Sequence, residues 1–123
     1  MTVTAYTLAF VLDLFCVFLG YRFLFQPAAA AAGYGVPAEP GGDAGAYLTV
    51  KGLRDGTFGL VGLALLAFAG ARAEAWFMLC VALVPLGDTL IVLRHGGAKA
   101  VAFGIHFATA AVVLISAGLL FAV

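Results

Sequence analysis

The sequence predicts an all-α integral membrane protein, a single bundle of four transmembrane helices with a short interfacial helix after the first. Three observations carry that expectation. Of the 123 residues, 65% are apolar, against about 45–50% in soluble domains. Lys and Arg number only six, as do Asp and Glu, so the net charge is zero. The charges are spaced so that four stretches approach the ~20 residues a helix needs to cross a bilayer. A soluble domain of this length exposes much of its surface and needs more charge to stay dispersed. Nucleic acid is excluded as a partner by the neutral balance and the lack of any basic run, since such binding depends on cations that neutralise phosphates. A membrane β-barrel needs at least about eight alternating strands, more chain than is present.

The first span is expected over residues 5–25, with one charge, Asp13, before its closing Arg22. No Lys or Arg precedes it and Asp13 sits inside it, so it is expected to stay as a helix of the mature protein rather than act as a secretory signal. The connection 26–45 follows. Pro27, five alanines and Gly33 carry the start and stop signals of a short helix, too short to span and therefore placed at the interface. Gly35-Val36-Pro37 and Glu39-Pro40-Gly41-Gly42-Asp43 are turn-rich.

The second span, 46–70, holds Lys51, Arg54 and Asp55 in its first turns and no charge afterwards. Its run Leu60–Ala69 is apolar on every side, and in lipid such a segment satisfies its own backbone only as a helix. A hairpin from Gly70 to Glu74 leads to the third span, 75–93, interrupted only by Asp88. There Pro85 cannot donate to the carbonyl of Val81 and Gly87 loosens the next turn, so a kink should aim Asp88 inward. Arg94-His95-Gly96-Gly97 then puts cations at the negative end of a helix and glycine after it. The fourth span, 100–122, has no formal charge and one histidine, His106.

Four spans put both termini on one face with the second loop. The other face gathers Arg22, Arg94 and Lys99, with Lys51 and Arg54 nearby, so the positive-inside bias places both termini outside the cytoplasm, in the cell membrane. Tyr6, Tyr21, Tyr47 and Trp76 fall near span ends and are expected as interfacial anchors. Cys16 and Cys80 differ in depth by ~12 Å on a 1.5 Å rise, beyond bridging distance, and are read as small core residues.

Depth arithmetic yields the candidate site. Asp13, Arg54, Asp55, Asp88 and His106 all fall ~9–13 Å from the face of the first and third loops. The other half of the bundle is expected to hold no formal charge. A charge at a helix centre costs about 2.5–3.5 kcal/mol in insertion measurements, so these groups should face inward and pair. Lys51 and Asp55 are spaced to meet on one helix face, and Gly52, Gly56 and Gly59 let a neighbouring backbone approach. Arg54 and Asp88, on antiparallel helices at depths within about 3 Å, are expected to form the central pair. Lys51 and Arg54 face three carboxyls, Asp13, Asp55 and Asp88, which leaves one exchangeable proton on a carboxyl or on His106.

Asp88, His106 and Asp55 are therefore the candidates for acid/base work, and Lys51, Arg54, Asp13 and Arg94 for ligand binding. The same charges also fit a structural ion-pair network that fixes helix register. His95 is expected to be interfacial. Two histidines and scattered aspartates lack metal-ligand spacing, and there is no phosphate loop, nucleotide fingerprint or Ser-His-Asp spacing; no metal or cofactor is expected.

Arg22-Phe23-Leu24, Pro27 with its alanine run, Gly33-Tyr34-Gly35, Lys51-Gly52-Leu53-Arg54-Asp55, Pro85-Leu86-Gly87-Asp88 and Arg94-His95-Gly96-Gly97 with His106 resemble the bacterial and fungal membrane family called domain of unknown function 4267. More loosely, the four-helix plan is similar to DoxX-like membrane proteins. The resemblance implies the four-helix membrane fold and recurring positions Arg54, Asp55, Asp88, Arg94 and His106. It implies no activity, and Asp13 lies outside its motifs.

Three function classes remain. One is a protein that binds, or acts by acid/base chemistry on, a lipophilic small molecule in a pocket between the helices. Another is a structural or accessory subunit whose glycine faces pack on a partner. The third, a proton or ion pathway, is the weakest, because the far half offers no polar relay. Expected partners are membrane lipids, a lipophilic small molecule and, given the limited room inside so small a bundle, a second copy of the chain in a homo-oligomer.

Overall fold

Five helices follow one another without a strand: α1 (Thr2–Phe25), α2 (Pro27–Tyr34), α3 (Ala44–Phe68), α4 (Ala71–Arg94) and α5 (Lys99–Phe121). The structure is a computed structural model that describes residues 1–123. Three helices, α1, α4 and α5, are long and apolar enough to cross a membrane. At 25 residues α3 is as long, but Lys51, Arg54 and Asp55 interrupt it. The expectation of four crossing helices is thus met by three on length and composition, because the second candidate carries its charges within the helix rather than beside it.

The seam between α1 and α3 is the most extensive helix contact, and glycine builds it. A Cβ at Gly20 of α1 would stand 2.6 Å from the Cα of Gly56 and 2.8 Å from the carbonyl oxygen of Gly52. One turn further along α3, Gly59 faces the backbone of Asp13, and Gly62 faces its carboxyl group. Lipid tails are as apolar as leucine, so helices in a bilayer gain little from hiding apolar side chains and associate where backbones pack closely.

The same rule shapes the opposite end. There Ala5 and Ala9 of α1, Ala75 and Ala82 of α4, and Ala117 and Leu120 of α5 are buried together. Large apolar side chains such as Phe10, Phe18, Leu60, Leu83 and Ile115 face outward, as do Tyr6, Tyr21, Tyr47 and Trp76. Cys80 is exposed and Cys16 half-buried, both as free thiols. The expectation of two core cysteines is corrected at Cys80: Met78 and Ala82 fill the inward face of α4, and Cys80 lies halfway round the helix from both.

Local chemistry explains the irregularities. The helical run of α4 breaks at Ala82, between Ala71–Val81 and Leu83–Arg94, one turn before Pro85, whose missing N–H leaves the Val81 carbonyl without its donor. Thr89 Oγ1 donates to the Pro85 carbonyl at 2.8 Å and secures the following turn. In α5, residues Ala102–Phe107 are wound as a wider π-type turn that contains His106. The C-terminus of α4 closes with Gly97 N–H donating to the Val92 carbonyl at 2.8 Å and Gly96 in the left-handed region at φ 74°, the paired bonds of a Schellman end.

Two boundaries differ from the expectation. The short helix α2 continues through Gly33 and Tyr34 and stops at Gly35, whose φ of 103° suits glycine. The second hairpin shrinks to Ala69-Gly70, so that Glu74 lies in the first turn of α4, fully buried.

A branched side chain at Gly20 has no room, so Gly20→Val should cost about 1–3 kcal/mol by overpacking. Gly87 has open space around it, and Gly87→Ala should be neutral or stabilise by up to about 1 kcal/mol from helix propensity. Thermal unfolding of the two purified variants in one detergent checks this; equal midpoints would mean the α1–α3 seam is not closely packed.

Candidate functional site

Lys51 is the centre of a cluster whose polar groups come from α2, α3, α4 and α5, with an aromatic ring from α1. Its Nζ lies 3.1 Å from Oδ2 of Asp55, one turn along α3, and 4.0 Å from Oδ2 of Asp88 on α4. It also sits 5.0 Å from the ring centre of Phe23 on α1 and 5.1 Å from that of Tyr34 on α2. Two carboxylates and two ring faces therefore replace water around the ammonium, each by an attraction that strengthens as water is excluded.

Tyr34 ties the cluster to α5. Its hydroxyl donates to Oδ1 of Asp88 at 2.8 Å, and its carbonyl oxygen lies 2.7 Å from Nε2 of His106. A carbonyl only accepts, so Nε2 carries the proton. Nδ1, 3.9 Å from Oδ2 of Asp88, is then an acceptor in the neutral ring and a second donor in the imidazolium. The two rings pack with centres 4.6 Å apart. Burial, and then donation to the Asp88 carboxylate, push the Tyr34 hydroxyl well above its ordinary pKa, so it remains a neutral donor. The π-type turn sets the direction of His106; such turns often mark functional positions.

Beside the cluster lies a cavity of about 340 Å³, bounded by all five helices, within the range of small-molecule pockets. Lys51, Asp55, Asp88, His106, Tyr34 and Arg22 reach its wall. Phe15, Phe58, Val81, Val84, Ile105 and Val113 supply much of the apolar remainder.

Of the residues expected at a site, Lys51, Asp55, Asp88 and His106 are brought together. Arg54 is not: its side chain is exposed and makes no ion pair, so the expected Arg54–Asp88 pair is corrected to Lys51–Asp88. Arg54 stands about 100° round the helix from Asp55, turned away from the bundle. Arg94 is exposed beyond the last turn around Asp88, outside the cavity wall. His95 is exposed, with Nδ1 2.8 Å from the Ile91 carbonyl at the helix end. No group of three or more His, Cys, Asp or Glu side chains is arranged to hold a metal ion.

Asp13 belongs to a second cluster. It is buried, as is Glu74, whose exposure is 0%. Oδ2 of Asp13 and both oxygens of Glu74 have no hydrogen-bond partner. Two carboxylates have no donor between them, so a bond within the pair requires a proton on one of them. The half of the bundle expected to be free of charge therefore holds this pair, and the layer around Lys51 has one lysine, two carboxylates and a histidine.

Sequence reasoning missed Tyr34, Glu74 and Arg22. Glu74, Met78 and Ala82 recur at helical spacing, which was the available sign that Glu74 faces inward. Tyr34 and Arg22 stood in the motifs of the family resemblance without a role. Residues 14–120 match the family described as Domain of unknown function (DUF4267). No curated protein and no solved structure matches the chain.

Lys51→Met strands Asp55 and Asp88 and should cost about 3–5 kcal/mol, whereas Arg54→Gln should change stability by less than about 0.5 kcal/mol. Equal losses in thermal unfolding would return Arg54 to the cluster. For the second pair, Glu74→Gln keeps a donor for Asp13 and removes the need for a shared proton, so it should unfold no earlier than the parent. Glu74→Ala leaves a cavity and an unpaired carboxyl and should cost about 2 kcal/mol or more. An early-melting Glu74→Gln would mean that Glu74 acts as an anion.

Proposed function

The chain belongs to the DUF4267 family, and on that premise we propose that it is a multi-pass protein of the cell membrane whose cavity binds a lipophilic small molecule and acts on it by acid/base chemistry. One observation carries the proposal: a largely apolar cavity of about 340 Å³ has two cations, two carboxylates, a phenol and an imidazole on its wall. A ligand's apolar body fits the walls of Phe15, Phe58, Val84 and Val113, and its polar head meets Lys51, Asp88 and His106. Few convergent polar groups in an apolar recess are the usual make-up of a small-molecule site.

The roles follow from the distances. His106, with its proton on Nε2, offers the Nδ1 lone pair to the gap of 3.9 Å that separates it from Asp88. A protonated oxygen of the ligand's head that bridges the two can pass its proton to Nδ1. The Lys51 ammonium is close enough to stabilise the oxyanion that results. Asp55 holds Lys51 in place, and Tyr34 holds Asp88.

In this proposal α3 is a fourth crossing helix. Its length and its place along α1 support that, as does the burial of Lys51 and Asp55 inside the bundle, where lipid does not meet them. With four crossings both termini lie outside the cytoplasm, the side that the basic loops around Arg22, Arg94 and Lys99 disfavour. A proton pathway is a second reading, favoured by one observation: Asp13 and Glu74 add a protonatable level in the half of the bundle away from Lys51.

Native mass spectrometry of the protein released in membrane patches tests the binding role. The parent should carry a bound lipophilic molecule, which Lys51→Met and Asp88→Asn lose and Arg54→Gln retains. The same bound mass in all four proteins would refute a site at this cluster.

A further inference from the structure

Arg22 is a cation on the cavity wall with nothing to pair with. It lies in the last turn of α1 and reaches the same cavity as Lys51. Its Nε is buried without a hydrogen-bond partner, and it makes no ion pair. The two carboxylates that share the wall are already engaged. Asp55 holds Lys51 at 3.1 Å, and Asp88 accepts from Tyr34 at 2.8 Å while facing Lys51 at 4.0 Å. Arg54, Arg72, Arg94 and Lys99 also lack acidic partners, but they are exposed, where water and head groups serve them. Arg22 is the one arginine with a shielded, unsatisfied donor, and a buried group of that kind calls for a partner.

Arginine presents a planar set of donors that match the oxygens of a carboxylate or phosphate, and being weakly hydrated it pairs at low cost in a partly apolar setting. We propose that the cavity is specific for an amphiphile with an anionic head, a carboxylate or phosphate on an apolar chain, and that Arg22 binds that head. This deepens the proposed function and rests on it: the apolar walls take the chain, Arg22 takes the charge, and Lys51 keeps the two aspartates from repelling it. The head can belong to a free single-chain acid or to a membrane phospholipid, and the chemistry at Arg22 is the same for both.

The test uses the full chain in nanodiscs of phosphatidylcholine at pH 8.5, with thermal unfolding as the readout. Dodecanoate should raise the midpoint at concentrations about tenfold lower than dodecanol does. Arg22→Gln should abolish that preference while leaving the response to dodecanol intact, and Arg22→Lys should restore part of it. A further arm uses nanodiscs of phosphatidylglycerol with no added acid. A rise there that depends on Arg22 and blocks the dodecanoate effect identifies the lipid head group as the source; no such rise identifies the free acid. If dodecanol protects as well as dodecanoate, the cavity does not read charge and the inference fails while the proposed function stands. If neither protects, both fail. Should Arg22→Gln not fold, the parent alone decides: a dodecanoate preference that shrinks as sodium chloride rises from 50 mM to 1 M supports the ion pair, and one insensitive to salt overturns it.

Discussion

An ammonium group that has left water must be surrounded by something that replaces it, and the site end of this bundle is organised around that requirement at Lys51. Asp55 and Asp88 supply the charge, and Phe23 and Tyr34 supply ring faces. These four partners come from α1, α2, α3 and α4, so a single cation fixes the relative position of four helices. The fifth joins through Tyr34, whose carbonyl holds His106. The connection after α1 is thereby drawn back against the bundle: α2 ends with the residue that both caps Asp88 and orients the imidazole.

Close packing and the cavity are two aspects of the same distribution of volume. On α3, glycines at 52, 56, 59 and 62 let α1 approach until backbones touch. Small side chains of α1, α4 and α5 close the far end in the same way. Phe15, Phe58 and Val84 instead line an open space between the helices, the cavity whose wall Lys51 also reaches. Lipid provides no hydrophobic pressure to collapse it, since the alternative for an apolar wall is an equally apolar acyl chain.

Much of this was legible in the sequence, and what was not has a physical reason. The apolar runs marked the helices, Lys51 and Asp55 stood one turn apart, and Pro85 announced the break that precedes Asp88. Arg54 was misplaced because depth along a helix was read without phase around it. The glycine stripe contained the missing angle: Arg54 is two residues from both Gly52 and Gly56, hence about 200° away from each and on the outer side. Tyr34 was harder, because nothing local states that a turn-rich connection folds back onto the helices. Asp13 and Glu74 were hidden by their separation in the chain; two carboxyls far apart in sequence give no sign that they will meet.

The π-type turn at Ala102–Phe107 is in effect an α-helix that has accepted one residue too many. Such a defect is inherited as a unit, since a one-residue insertion creates it and a one-residue deletion heals it. Rewinding the same six residues as regular α-helix, with none removed, would turn the two parts of α5 by about 100° relative to each other. The half that packs on Ala75 and Ala82 could keep its contacts while the histidine swung away from the Tyr34 carbonyl. Scaffold and site are thus joined through a single adjustable register, where the winding of one turn, rather than any substitution, separates a bundle with the imidazole aimed at Asp88 from the same bundle without it.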